Sequence, residues 1–202
     1  MAARRYNEAM NTLPTTKTVD GLQARQIETP LGAMLALANH EGLHLLEFVD
    51  RRELESEIVA LRARHKPPIE PGTNAHLETI SRELQDYFAG RELTFTVPLI
   101  VGGSAFERDV WAKLQTIPPG VTWSYAELAT CLGNPRAVRA VGRANGRNSL
   151  AVVIPCHRVI RSDGNLCGYG GGIWRKKWLL EHERNVIGPT LSRGEQLTLN
   201  YL

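Results

Sequence analysis

Cysteine, histidine and arginine stand in direct succession at Cys156-His157-Arg158, inside the stretch VVIPCHRVI. A thiol, an imidazole and a guanidinium together offer a nucleophile, a base and a local positive charge. The thiolate is the nucleophilic form, and cations such as Arg158 and Arg161 favour it. Pro155 fixes the backbone just before the thiol and removes a donor. Against this chemistry, a cysteine flanked by valine and isoleucine is commonly an inert small hydrophobe. A Cys-His nucleophilic pair ordinarily meets from distant segments, and neighbours in a strand point to opposite faces. A bend at Pro155-Cys156 relaxes that geometry, directly or through a water.

A second constellation lies just upstream. In PRAVRAVGRANGRN, Arg136, Arg139, Arg143 and Arg147 recur at spacings of three, four and four. A helix places all four on one face and leaves Val138 and Val141 for the other. A solvated charged face is the plain alternative, but surface helices mix signs and this face carries no acid. Unpaired guanidiniums repel one another until an anion arrives, and phosphate is the natural one. Ala137, Ala140, Gly142, Ala144 and Gly146 leave the helix thin enough to enter a groove or to pack tightly.

The elements that position these groups follow from pattern. Ile27 to Gly32 reads as a strand end and turn. Met34 to Ala38 and Leu43 to Val49 read as a hairpin around an Asn39–Gly42 turn. Arg52 to His65 is helical, with Leu54, Ile58 and Leu61 on one face. Lys66 to Gly72, KPPIEPG, reads as a stiff linker. Asn74 caps a helix to Phe88 that stops at Gly90, and Leu93 to Ile100 alternates as a strand does. Ser104 caps a helix to Ile117, ended by Pro118-Pro119-Gly120. Ser124 opens another, with Glu127 at the capping-box position, and Gly133 closes it. Asn134-Pro135 opens the arginine helix with a cap and a first-position proline. Two helices joined through a glycine turn outline a helix-turn-helix.

Composition bounds the reading. The 202 residues are 43% hydrophobic and 22% charged, ordinary for a soluble globular chain. No apolar run reaches membrane-spanning length, and the first residues lack a signal core. Three cysteines make no disulfide framework and lack zinc-site spacing, which suits a reducing compartment. The net charge of +3 is unevenly spread: residues 1–103 hold 11 basic and 14 acidic residues, and residues 104–188 hold 12 and 6. The basic half is the one suited to a polyanion. The expected division is a tail over 1–20, an α/β domain over 21–101, a basic, mostly helical domain over 102–188 and a tail over 189–202.

IPCHRVI, with RAVGRAN and SYAEL upstream, closely resembles the O6-alkylguanine-DNA alkyltransferases, the methylated-DNA–protein-cysteine methyltransferase family. The likeness runs from TPLG at Thr29 through FERDVWAKLQTIPPGVTWSYAELA to WLLEHER at Trp178 to Arg184, roughly three quarters of the chain. It implies an α/β N-terminal lobe of ribonuclease-H-like form, with a small antiparallel sheet plus helices. It implies a mostly α C-terminal lobe with a winged helix-turn-helix. The implied reaction is irreversible, stoichiometric transfer of an alkyl group from O6-alkylguanine, and from O4-alkylthymine, in double-stranded DNA onto Cys156, with the base flipped out. No cofactor and no metal are implied. The partner is alkylated duplex DNA, bound by a monomer able to cluster along it, in the cytoplasm with the nucleoid, or in the nucleus of a eukaryote; no membrane is involved.

By the same resemblance, His157 takes the thiol proton through a water, Glu183 orients the imidazole, Asn148 braces the turn and Tyr125 donates to the departing base. Arg139 matches a finger that enters the base stack from the minor groove. Tyr125, Ala126, Asn134, Arg136 and Ser162 match DNA-contacting positions, and Tyr169 and Gly170 the wall of the base pocket. The chain departs from the family pattern at Ser149, where proline is usual, and at Gly170, where serine is frequent; the latter implies a roomier pocket. Three other functions remain open: a lesion sensor, which would lack the thiol; a cysteine hydrolase, which has no use for the arginines; and a bare DNA-binding regulator, which needs only the helices.

Overall fold

The computed structural model describes residues 21–64 and 68–188, so the segments read as tails, 1–20 and 189–202, lie outside the described residues. The chain forms two compact units. The first comprises described residues up to Phe88 with Phe95–Gly102 and Ser149–Ala151; the second holds Ala89–Thr94, Gly103–Asn148 and the described residues from Val152.

Strands β1 (Leu22–Ile27), β2 (Met34–Ala38) and β3 (Leu43–Phe48) form an antiparallel meander, and β4 (Ile69–Pro71) joins the far side of β1 in parallel. The sheet is therefore mixed, ordered β3-β2-β1-β4. Part of the stretch read as a linker is thus a strand. Pro68 and Pro71 hid it from a reading by composition, yet prolines are tolerated on an edge. The hairpin turn is fixed by Asn39, whose side-chain oxygen accepts from the amides of Glu41 and Gly42 at 2.9 and 3.3 Å. A Cβ at Gly42 would meet the Pro98 carbonyl oxygen at 2.5 Å, so only glycine fits there.

Every residue of β2 and β3 is buried. One face packs Ala24, Leu35, Leu37 and Leu45 with Leu61, flanked by Leu54 and Ile58, these last three on helix α1 (Leu54–Arg64). The open edge of β3 is capped by two short segments. Leu43 exchanges bonds with the Pro98 carbonyl and Ile100 amide, and Leu46 with the Ser149 carbonyl and Ala151 amide, at 2.8–2.9 Å. The expected strand over Leu93–Ile100 is reduced to this one bridge at Leu99. Glu83 explains the loss: its carboxylate takes the Thr96 amide and hydroxyl at 2.8 and 2.5 Å, which removes them from a ladder. Helix α2 (Ala75–Phe88) starts on Asn74, which accepts from the His76 and Leu77 amides at 3.0 Å, and buries Leu77, Ile80, Leu84 and Tyr87.

In the second unit α3 (Ala105–Leu114) and α4 (Tyr125–Cys131) both begin with complete capping boxes, Ser104 with Glu107 and Ser124 with Glu127. Helix α4 ends at Gly133, held at φ +72°. A 3-10 turn over Pro135–Ala137 then leads into α5 (Val138–Gly146). Asn134 makes no side-chain cap bond, contrary to expectation; the tight turn brings the Ala137 amide to the Asn134 carbonyl instead. Helices α4 and α5 form the expected helix-turn-helix. Short strands β5 (Trp123–Ser124) and β6 (Val159–Ile160) pair in parallel beside it. Helix α6 (Ile173–Ile187) completes the unit, buried at Leu179 and Leu180. Among the described residues no helix is long and apolar enough to cross a membrane.

Candidate active site

Cys156, His157 and Arg158 form a single 3-10 turn rather than a strand, so the expected opposition of neighbouring side chains does not apply. The preceding turn residue Val152 lies at φ +72°, a left-handed conformation that a β-branched residue adopts only when its surroundings force it. All three residues of the turn are buried. The Cys156 sulfur accepts a bond from Asn148 Nδ2 at 3.2 Å, and the same amide holds the Ile154 carbonyl at 2.9 Å. Asn145 Nδ2 donates to the Cys156 carbonyl at 3.3 Å.

Glu183, on α6, gathers the remaining charges. Its Oε1 pairs with His157 Nε2 at 2.8 Å, Arg158 donates to both oxygens at 2.8–3.2 Å, and the Gly120 amide reaches Oε2 at 3.0 Å. Arg158 is itself anchored on the Ile117 carbonyl at 2.6 Å. Burial alone would raise the Glu183 carboxyl, but His157 and Arg158 overcome it and hold the group well below the usual carboxylate range. Arg158 is the lasting counter-charge, because burial lowers the His157 pKa and Glu183 only partly offsets this. The imidazole is therefore neutral near pH 7, with Nδ1 buried and without a partner among the described residues. That nitrogen is the one left to accept a proton.

Tyr125 opens α4 half-buried, with the Lys176 ammonium 5.9 Å from its ring centre. Burial first, then the neighbouring Cys167 and Cys156, raise its pKa, so it stays a phenol and a donor. A Cβ on Gly168 would stand 3.3 Å from this hydroxyl. Lys176 is fully buried and donates to the Val159 and Cys167 carbonyls at 2.5 and 2.7 Å. Burial lowers its pKa, and the Cys156 and Cys167 thiols oppose that. None of the three cysteines is in a disulfide.

Cys156, His157, Glu183 and Asn148 thus come together, and Tyr125 stands beside Lys176. Arg136, Arg139 and Arg143 are exposed and form no ion pair among the described residues. Arg147 does: it meets Glu107 at 2.9 Å, an acid partner that the local sequence did not offer because it comes from α3. Asn134, Ser162 and Gly170 are exposed, Ala126 is half-buried and Tyr169 is buried. Sequence reading missed Asn145, Lys176 and the Gly120 amide. It also gave Arg158 only a diffuse electrostatic part, when the guanidinium clamps Glu183. The three-residue spacing of Asn145 and Asn148 was a usable signal for the first of these.

Residues 24–101 match the family described as 6-O-methylguanine DNA methyltransferase, ribonuclease-like domain, and residues 105–185 its DNA binding domain. A methylated-DNA–protein-cysteine methyltransferase of Shigella flexneri is 41% identical over 82% of this chain and 98% of its own. The chain belongs to the methylated-DNA–protein-cysteine methyltransferase family. A Mycobacterium tuberculosis relative of that name is 43% identical over 80% of this chain and 92% of its own. The structure of Mycobacterium tuberculosis O6-methylguanine methyltransferase superposes with a TM-score of 0.71 at 38% identity, covering 89% of this chain and 99% of that one. Mycobacterium tuberculosis OGT in complex with DNA gives 0.70 at 38% identity over 88% and 99%. The chemistry of a methylated-DNA–protein-cysteine methyltransferase delivers an alkyl group to a cysteine, and a site with a buried, hydrogen-bonded thiol beside a neutral imidazole suits that delivery.

Proposed function

We propose that this chain repairs duplex DNA by moving the alkyl group of O6-alkylguanine onto the Cys156 sulfur, once per molecule. The observation that carries this reading is the Cys156 sulfur held by Asn148 in the turn that also presents His157 to Glu183 and Arg158. His157 Nδ1 accepts the thiol proton through a water, and Glu183 keeps Nε2 protonated and oriented. The thiolate attacks the alkyl carbon from behind, the carbon–oxygen bond breaks, and its electron pair stays on O6. Tyr125 donates to the departing guanine, which avoids a free anion. The thioether has no route back to a thiol, so turnover ends there. The relative solved with DNA supports a DNA partner.

Helix α5 enters the minor groove in this reading. Arg139 fills the gap left by the flipped nucleotide, and Arg136, Arg143, Asn134, Ala126 and Ser162 follow the backbone. Flipping costs a few kcal/mol, least where alkylation has weakened the pair. Tyr169 and Gly170 wall the base, and O4-alkylthymine is a second substrate. The protein acts as a monomer able to cluster along DNA, in the reducing compartment that holds it.

The test is to incubate the protein with an oligonucleotide carrying radiolabelled O6-methylguanine and to map the label by peptide mass spectrometry. One equivalent of label on Cys156 is expected. Label on Cys131 or Cys167, no label, or sustained turnover beyond one equivalent would overturn the reading.

A further inference from the structure

Asn148 and the Cys156 backbone meet on one carbonyl. Asn148 Nδ2 donates to the Ile154 carbonyl at 2.9 Å and to the Cys156 sulfur at 3.2 Å. The Cys156 amide donates to the same Ile154 carbonyl at 2.8 Å. That bond closes around Pro155, at φ −80° and ψ 59°, which makes an inverse γ-turn. The Ile154 carbonyl thus joins the amide that holds the sulfur to the backbone of the cysteine itself. For Asn148 to reach both groups, the chain must double back soon after it. It does not do so at once. The Leu46 amide takes the Ser149 carbonyl and the Ala151 amide takes the Leu46 carbonyl, at 2.8–2.9 Å, which keeps Leu150 running beside β3. The reversal falls on the next residue, Val152, at φ +72°.

Among the described residues Val152 is the one non-glycine residue at positive φ, and it is 1% exposed. Glycine takes such a backbone freely, as Gly120 and Gly133 do here, whereas a left-handed valine is strained. What valine supplies is stiffness, because its branched side chain has few rotamers and this one is buried. Strain of this kind persists only where the surroundings over-determine it, and it gathers where geometry serves function. Here Ala151 is held just before the residue and Ile154 just after it. We propose that Val152 is a positioning residue for alkyl transfer, its left-handed backbone setting the return of the chain so that one Asn148 amide spans the Ile154 carbonyl and the Cys156 sulfur. This rests on Cys156 as the acceptor. With glycine in its place the turn forms without strain but is free to shift, and the grip of Asn148 on the sulfur loosens.

The experiment follows single-turnover uptake from free O6-benzylguanine, which needs no duplex, at a temperature where thermal unfolding shows every variant folded. Four proteins are compared: the unaltered chain, Val152→Gly, Asn148→Ala and the double variant. Val152→Gly is expected to lower the limiting rate roughly tenfold, the worth of one hydrogen bond, with the half-saturating concentration unchanged. In the Asn148→Ala background the same substitution is expected to cost less than twofold, since the amide it aims is gone. Alkylation of Cys156 by iodoacetamide, located by peptide mass spectrometry, repeats the cycle without the base, so a background that takes up no benzyl group still reports. A merely structural role would lower the melting temperature and leave the limiting rate of the folded protein unchanged. That result overturns the proposal, as does the full loss retained in the Asn148→Ala background. Val152→Ala, which removes the branch, carries the same cycle should glycine unfold the chain. No uptake by the unaltered chain would instead overturn the underlying reading of the site, and the iodoacetamide cycle would still decide the part of Val152.

Discussion

Glu183 shows how one buried carboxylate is made to serve two neighbours. It accepts from an imidazole, a guanidinium and a backbone amide while wholly buried. A charge so placed is tolerated only because Arg158 pairs with it and every strong donor is used. The arrangement answers why CHR stands as a unit: the cysteine is the reacting atom, the histidine its base, and the arginine keeps the base's partner ionised. Glu183→Gln should therefore do two separable things. It strands the buried Arg158 charge, which costs about 3–5 kcal/mol of stability, and denaturant unfolding measures that. It also presents an amide where His157 Nε2 needs an acceptor, so uptake of the alkyl group should fall by about a hundredfold or more, on the scale seen when a triad's orienting acid is lost. A variant that unfolds at the same denaturant concentration as the unaltered chain would show that Arg158 finds its counter-charge elsewhere.

Helix α5 is less uniform than its arginine spacing suggests. Arg139 and Arg143 stand on the helix, Arg136 sits in the 3-10 turn before it, and Arg147 follows its end, paired to Glu107. Glu107 is also the capping-box residue of α3, with its pKa lowered to about 2 by hydrogen bonds from Arg147 and Ser104. Such an exposed pair adds about 1 kcal/mol at most, but it directs Arg147 away from the anion role. Arg139→Ala should weaken repair of duplex DNA about tenfold or more while leaving reaction with free O6-benzylguanine near normal. Arg143→Ala should lower the salt slope of DNA binding by about one, and Arg147→Ala by less. Equal slopes for the last two would show that Glu107 does not hold Arg147. The pattern of what was legible has the same cause. Ser104 and Ser124 announced their helices because a capping box is complete within four residues. Strand β4, the lone bridge at Leu99 and the Arg147–Glu107 pair depend on partners tens of residues away, which no local pattern encodes. The thiol chemistry was legible through IPCHRVI, but the 3-10 turn that aims it, with Val152 forced to a left-handed backbone, was not.

The two units respond to pH in opposite senses. In the first, Arg51 is buried among carboxylates: it contacts Glu47, lies 3.2 Å from Glu57 and 3.6 Å from Glu53. Burial raises Glu47 to about 8 and Glu57 to about 7 despite Arg51, and a neighbouring carboxylate adds to each rise. One guanidinium does not neutralise the buried Glu47 and the half-buried Glu57 together, so the pair shares a proton near neutrality. In the unfolded chain both titrate near 4.3. The folded unit therefore holds more protons than the unfolded chain across that window, and its stability falls as pH rises from about 4.3 towards 8. For one proton the slope is at most about 1.4 kcal/mol per pH unit. In the second unit His157 is held neutral, so the unfolded chain is the one that takes up the proton below about 6.5, and stability there rises with pH. Hydrogen exchange read by mass spectrometry separates the two. Between pH 5.5 and 8, after correction for intrinsic exchange, amides of β2 should lose protection while those of α6 gain it. Glu47→Gln combined with Glu57→Gln should flatten the trend in β2 and leave α6 unchanged, because the introduced amides keep hydrogen-bonding oxygens for Arg51 but have no proton to lose. A β2 trend that survives both substitutions would place the titrating group outside the Glu47–Arg51–Glu57 cluster.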